Sequence, residues 1–394
     1  MTSTFPRRLA RKIRQTRRLS RKSIAFLFLL AGSALVALTA LFFAHLADFA
    51  LELNAKLVQQ YPWFAWIALP PGLPVIVWLT RKFAPFTAGS GIPQVIASLS
   101  LPYGAQKTRL IRLGQTLLKI PLTFLGMLFG ASIGREGPSV QVGAAVMGAW
   151  GAWCKKHGLA FKGMQENDLM AAGLVCGAAG GIFARMLYRG AAAFAPRKIR
   201  GFIRNRPLLL AALMGLLLAL LGTFYQGKTY GTGYHEAAQA LHGIYEAPVG
   251  LAAAKWLATV FSYWAGIPGG IFTPSLTIGA VLGEHIAAIA DISQGANIIV
   301  LICMAAFLAG ATQSPITSAV VVMEMTGGQS LLFWMLIACI FASQVSRQFS
   351  PRPFYHASGM RFRRRVLQET AAQTGNAPAR PQAANSKTGM PSEN

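Results

Sequence analysis

A chain of 394 residues that is 54% apolar and only 12% charged has too few ionised side chains for a water-dissolved globular body, and its composition is that of a protein crossing a bilayer several times. The formal charge of +25 would suit a nucleic-acid partner, but the Lys and Arg residues flank apolar segments instead of forming a soluble basic domain. They set membrane orientation, and no nucleic acid is expected.

Residues 1–22 hold nine basic residues and no acid, which reads as a basic arm kept in the cytoplasm by the positive-inside rule. The apolar run that follows, 23–50, is too long for a signal-peptide core and no small-residue cleavage site follows it, so an uncleaved first membrane helix is predicted. Further candidate spans cover 63–79, 110–133, 208–225, 247–264, 298–323 and 331–345. Many contain Gly or Pro, and helices broken at membrane depth persist only where they are buried or line a polar cavity.

Three Gly-Pro segments punctuate this body: 89–95 (GSGIPQV), 134–140 (GREGPSV) and 266–276 (GIPGGIFTPSL). Pro suits the first turn of a helix and Gly a backbone that must approach a ligand closely, so each segment predicts a helix that starts inside the membrane. Unpaired N–H groups and the positive end of the helix dipole then give an anion-binding terminus. Three converging termini would form an anion pathway, holding the ion less tightly than Arg or Lys and so letting it leave.

Two side chains stand out there. Ser90, between Gly89 and Gly91, can donate one hydrogen bond to an anion without adding charge, or it can cap the helix. Glu136 is a carboxylate inside an apolar segment, a functional candidate by default; the plain alternative is an ion pair with Arg135. Lys119 in LKIPLTF is either a buried partner or a snorkelling cation. Glu324 in VVMEMTGG reads better as a buried, hydrogen-bonded structural carboxylate than as a transport residue. Residues 130–134 (GASIG) fit a GxSxG pattern, but Ser132 lies in a membrane segment and small residues at that spacing serve close helix packing, so an intramembrane hydrolase is disfavoured. Cys154, Cys176, Cys303 and Cys339 are isolated, which suggests neither a disulfide framework nor a clustered metal site.

The membrane body is expected over 23–355 and a cytoplasmic tail over 356–394, with Arg361, Arg363, Arg364 and Arg365 holding the carboxyl terminus inside. Beyond Gln368 the composition, rich in Ala, Gln, Pro, Asn and Ser, predicts disorder.

GSGIP, GREGP and GGIFTP in this order and at comparable spacing resemble the signature set of the CLC chloride channels and proton-coupled chloride exchangers of bacterial type. The resemblance implies an all-α polytopic membrane protein, an inverted repeat of tilted and broken helices, in a bacterial inner membrane with both termini cytoplasmic. It implies chloride contacts at Ser90, Gly91, Ile92, the amides of Ile271 and Phe272, and the Tyr355 hydroxyl, with Glu136 as the gate. Unaided, Tyr355 in SPRPFYHA would read as an interfacial anchor. Supporting positions are Gly89, Pro93, Gly134, Arg135, Gly137, Pro138, Gly269, Gly270 and Pro274. The implied ligands are chloride, protons in the exchangers, and membrane lipids, with no cofactor or metal, and the family assembles as homodimers.

One stretch departs from the family pattern. Residues 173–201 (GLVCGAAGGIFARMLYRGAAAFAPRKIRG) lack an FNAP-like motif and the paired glutamates that close the next helix. The first half therefore reads as shortened by an internal deletion, without the internal proton-transfer acid and without helices that serve the dimer interface. Channel-like chloride transport is expected ahead of proton-coupled exchange. The alternative is a deleted, non-conducting relative that acts as a membrane binding partner.

Overall fold

The computed structural model describes residues 5–101, 105–156, 187, 191, 205–243, 247–289 and 296–373. Among these the regular structure is helical: α1 (Phe5–Gln60), α2 (Phe64–Phe83), α3 (Ile92–Leu99), α4 (Ala105–Leu110), α5 (Leu113–Leu117), α6 (Lys119–Leu128), α7 (Glu136–Lys156), α8 (Pro207–Phe224), α9 (Tyr234–Leu241), α10 (Leu251–Ala265), α11 (Phe272–Ile289), α12 (Ala296–Thr312), α13 (Pro315–Thr326), α14 (Leu332–Phe349) and α15 (Phe354–Gln373). Five spans among the described residues are long and apolar enough to cross a bilayer: Ala34–Gln60, Phe64–Phe83, Pro207–Phe224, Phe272–Ile289 and Gln329–Phe349. The departure at 173–201 lies outside the described residues except for 187 and 191.

Two expected spans are not single helices. The stretch 110–133 becomes α5 and α6, because Pro121 cannot donate back into a helix arriving from α5 and is accommodated instead at the third position of a new one. The stretch 298–323 divides into α12 and α13 at Gln313, whose φ of 58° lies in the left-handed region, with Pro315 at the first turn of α13. The amide of Gln313 secures that break by donating to Ser350 O (2.6 Å) and Ser346 Oγ (3.2 Å). In the opposite direction, α1 runs unbroken through residues expected to form a separate arm.

Apolar side chains bury in two main groups. One joins α1, α2, α6, α8 and α10 through Leu69, Leu73, Ile76, Met127 and Leu218; the other joins α9, α11, α12, α13 and α14 through Leu276, Met304, Leu308 and Met335. Between them a smaller group, Val260, Ile271, Ile278, Phe307, Phe354 and Tyr355, places the start of α11 and the start of α15 side by side. α15 then continues along α3. On the outside, Leu38, Phe42, Ile67, Leu220, Phe333 and Phe341 are all more than half exposed, an apolar exterior suited to lipid.

Candidate anion-binding site

The starts of α3, α7 and α11 meet at one junction. Gly134 and Gly270 exchange reciprocal backbone bonds of 2.7 Å each, while the amide of Gly89 donates to Ile267 O (3.1 Å) and that of Gly269 to Gly89 O (3.2 Å). These bonds stitch the three connecting segments together just before their helices begin. Pro93, Pro138 and Pro274 sit in the first turns, where no intrahelical amide is required. Among the described residues, the amides of Ile92, Ile271 and Phe272 donate to no carbonyl of the connecting segments, as expected at helix starts.

Four polar side-chain atoms at this junction are buried and lack a hydrogen-bond partner: Ser90 Oγ, Glu136 Oε2, Thr273 Oγ1 and Tyr355 Oη. Ser90 abuts Gly137 so closely that a Cβ there would collide with its Oγ. The carboxylate of Glu136 folds over Gly134, against which Thr273 Oγ1 and Pro274 also lie. The Tyr355 hydroxyl has Ser90, Tyr263 and Glu136 as electrostatic neighbours. It is close enough to Ser90 to influence it, yet the two hydroxyls do not meet in hydrogen-bonding geometry. Three hydroxyl donors and several free amides around one spot leave a deficit that an anion would fill, since buried polar groups are seldom left unpaired.

Several alternatives are now decided by geometry. Ser90 caps nothing: the residue before α3 is Gly91, with no side-chain cap. Arg135 turns away from Glu136 and bonds Ala44 O and Asp48 on α1. Tyr355 is 6% exposed and therefore no interfacial anchor. Lys119 does not snorkel; it is fully buried, donating to Gly89 O (2.8 Å) and Gln141 Oε1 (2.9 Å). Glu324 is exposed on α13, which corrects its reading as a buried structural carboxylate: it occupies a helix face that the described residues leave uncovered. Ser132 donates through its amide to Ser262 Oγ and pairs its hydroxyl with Thr259, a packing role between α6 and α10.

Other residues of the site carried weak sequence signals. Thr273 is only a hydroxyl beside Pro274. Gln141 holds the Ser90 loop from behind: its Oε1 accepts from Lys119, and its Nε2 donates to Phe86 O (3.2 Å) and Leu110 O (3.0 Å). A second loop, Gly231-Thr232-Gly233, repeats the arrangement. Lys255 Nζ donates to the carbonyls of Thr229, Tyr230 and Gly231, each at 2.9 Å, and Thr277 Oγ1 to Gly233 O at 2.9 Å. The register is the same in both halves: Lys119 and Lys255 each stand fifteen positions before the paired glycines Gly134 and Gly270, and Gln141 and Thr277 each seven after. That matched spacing, with the T-x-G-[ST]-G pattern at 87–91 and 229–233, is the signal that could have found them.

A helical membrane body whose broken helices aim their amino termini at a common point defines an anion transporter or channel fold. The pattern of the voltage gated chloride channel family matches residues 72–174 and 168–347, most of the membrane body, and the chain belongs to that family, whose members are transporters or channels rather than enzymes. It is 23% identical over 389 residues to the H(+)/Cl(-) exchange transporter ClcA of Salmonella gallinarum, covering 77% of this chain and 79% of the relative. To the voltage-gated ClC-type chloride channel ClcB of Salmonella dublin it is 36% identical over 143 residues, 34% of each chain. Among solved structures, a slow cyanobacterial Cl-/H+ antiporter matches with a TM-score of 0.63 at 19% identity, over 86% of this chain and 97% of that one, which shows a shared fold.

Proposed function

We propose that this protein carries chloride across a bacterial inner membrane, with both termini cytoplasmic and residues 23–355 as the transporting body. The ion is held by the Ser90 and Tyr355 hydroxyls and the amides of Gly91, Ile92, Ile271 and Phe272, and Glu136 gates it. The observation that carries this reading is the cluster of unpartnered buried atoms, Ser90 Oγ, Glu136 Oε2, Thr273 Oγ1 and Tyr355 Oη, at three helix starts. The Glu136 carboxylate occupies the position of an anion there, and its displacement opens the route.

Channel-like conduction is preferred over proton-coupled exchange. No acidic residue occurs between Asp168 and Glu236, so the stretch joining the halves offers no carboxylate to relay protons. The names of ClcA and of the cyanobacterial antiporter support the opposite reading, exchange. A non-conducting relative is a second reading, favoured by one observation: the family pattern matches in two stretches, not one, which overlap at 168–174. Recording chloride and proton movement together in chloride-loaded liposomes separates all three. Passive chloride flux without proton uptake is expected; stoichiometric uphill proton movement would establish exchange, and a folded preparation with no flux would establish the non-conducting reading.

A further inference from the structure

Between the last turn of α2 and the first turn of α8 lies a cavity of about 580 Å³. Among the described residues three cations, Arg81, Lys82 and Arg206, line it together with Trp78, Leu208 and Leu209, and no acid does. All six side chains are exposed. Arg365 on α15 adds a further positive charge near Arg81, while the neighbouring acid, Glu369, is engaged by Arg109 (3.0 Å) and Arg365 (2.9 Å). Like charges gathered in this way repel one another, and an anion placed among them turns that repulsion into attraction.

The backbone presents both signs: Arg81 and Lys82 stand at the negative end of α2, while α8 is 18 residues long, begins with Pro207 and has no side-chain cap from Arg206, so the positive end of its dipole also lies at the cavity. Lys82 Nζ stands 4.8 Å from the Trp78 ring centre, and an exposed Trp beside cations at the end of a spanning helix marks the depth of lipid headgroups. Below this rim, Leu208, Leu209, Leu213, Leu216 and Leu220 along α8 and Val75 on α2 are exposed, giving an apolar surface that runs from the cations toward the bilayer centre. A free phosphate would meet the cations and leave that surface uncovered. An amphiphile with an anionic head covers both.

We propose that this cavity binds an anionic phospholipid, with its phosphate at Arg81, Lys82 and Arg206 and its acyl chains along Trp78, Leu208 and Leu209. The site is separate from the candidate anion pathway, so its test does not depend on chloride transport. The full-length protein in neutral detergent, given equal amounts of phosphatidylglycerol and phosphatidylcholine, is examined by native mass spectrometry. Selective retention of phosphatidylglycerol is expected. Each cation removed should weaken it about fivefold, so Lys82→Gln gives a partial loss and the combined Arg81→Gln, Lys82→Gln, Arg206→Gln variant a loss of about a hundredfold. Melting temperature reports folding, and the single variant serves where the triple variant does not fold. Equal retention of the two lipids, unchanged retention in a folded variant, or displacement of the lipid by inorganic phosphate would overturn the proposal.

Discussion

The two halves of the molecule build the same loop and leave it in different states. In the first, Gly89-Ser90-Gly91 is held by Lys119 and Gln141 from behind, and the Ser90 hydroxyl faces the junction without a partner. In the second, Gly231-Thr232-Gly233 is held by Lys255 and Thr277, but the Thr232 hydroxyl accepts from the amide of Tyr234 at 3.3 Å. The glycines matter for the same reason in both: Gly91 and Gly233 have φ of 102° and 76°, and a Cβ would crowd Lys119 Nζ in one and Lys255 Cε in the other, each at 2.9 Å. The lysines differ as well. Lys255 places bonds on three carbonyls, matching its three protons, whereas Lys119 makes two bonds, one of them to a side chain. One copy of the loop is closed on itself, and the other leaves its hydroxyl unpaired.

That contrast can be broken from the closed side first. Lys255→Met leaves three buried carbonyls without a donor, at roughly 1–2 kcal/mol each, and should lower stability by about 3–6 kcal/mol; a melting curve in detergent with less than half that effect would mean the second loop does not need its lysine. Lys119→Met removes a buried charge beneath Ser90. Its expected signature is a weakening of chloride affinity by about thirtyfold, from hydrogen bonds to charged groups worth roughly 2 kcal/mol, read by calorimetric titration and exceeding the effect of Lys255→Met on the same titration in any folded preparation.

The loops themselves give a smaller and cleaner pair. Ser90→Ala should weaken chloride binding about tenfold, the loss of one hydrogen bond to an ion, while leaving the melting temperature unchanged. Thr232→Ala should do the reverse, with a loss of about 1 kcal/mol in stability from the missing hydrogen bond to the Tyr234 amide and unaltered chloride affinity. If both variants behaved alike, the distinction between open and closed copies would fail. The smallest effect is expected at Asp48→Asn, which frees Arg135 from a partly exposed pair: about 0.5 kcal/mol of stability, diminishing further in high salt.

The parts of this account legible in the sequence were those written as local backbone chemistry. Gly next to Pro before an apolar run marks a helix start regardless of what surrounds it, so α3, α7 and α11 begin at Ile92, Glu136 and Phe272; Glu136 stood out from its apolar setting, whereas Ser90 taken alone read as a helix cap and drew attention only together with the other two Gly-Pro segments. Hydropathy failed where it averages over breaks. Residues 110–133 and 298–323 average as apolar despite Arg112, Gln115, Lys119 and Gln313, and Pro121 and Pro315 are the local marks that each is two helices. Least legible were Lys119, Gln141, Lys255 and Thr277, because their partners lie on other elements and a buried ammonium looks no different in sequence from one at the membrane edge. Glu324 went astray for the related reason that an apolar helix need not be covered on every face.

Under the proposed function, chloride rests at the junction of three helix starts. Crystals grown in bromide would test it through anomalous scattering from the ion. A peak within hydrogen-bonding reach of Ser90 Oγ, Tyr355 Oη and the amides of Ile271 and Phe272, weakened in Ser90→Ala, is the predicted result. A well-ordered junction with no peak, or bromide bound only at the Gly231-Thr232-Gly233 loop, would contradict it.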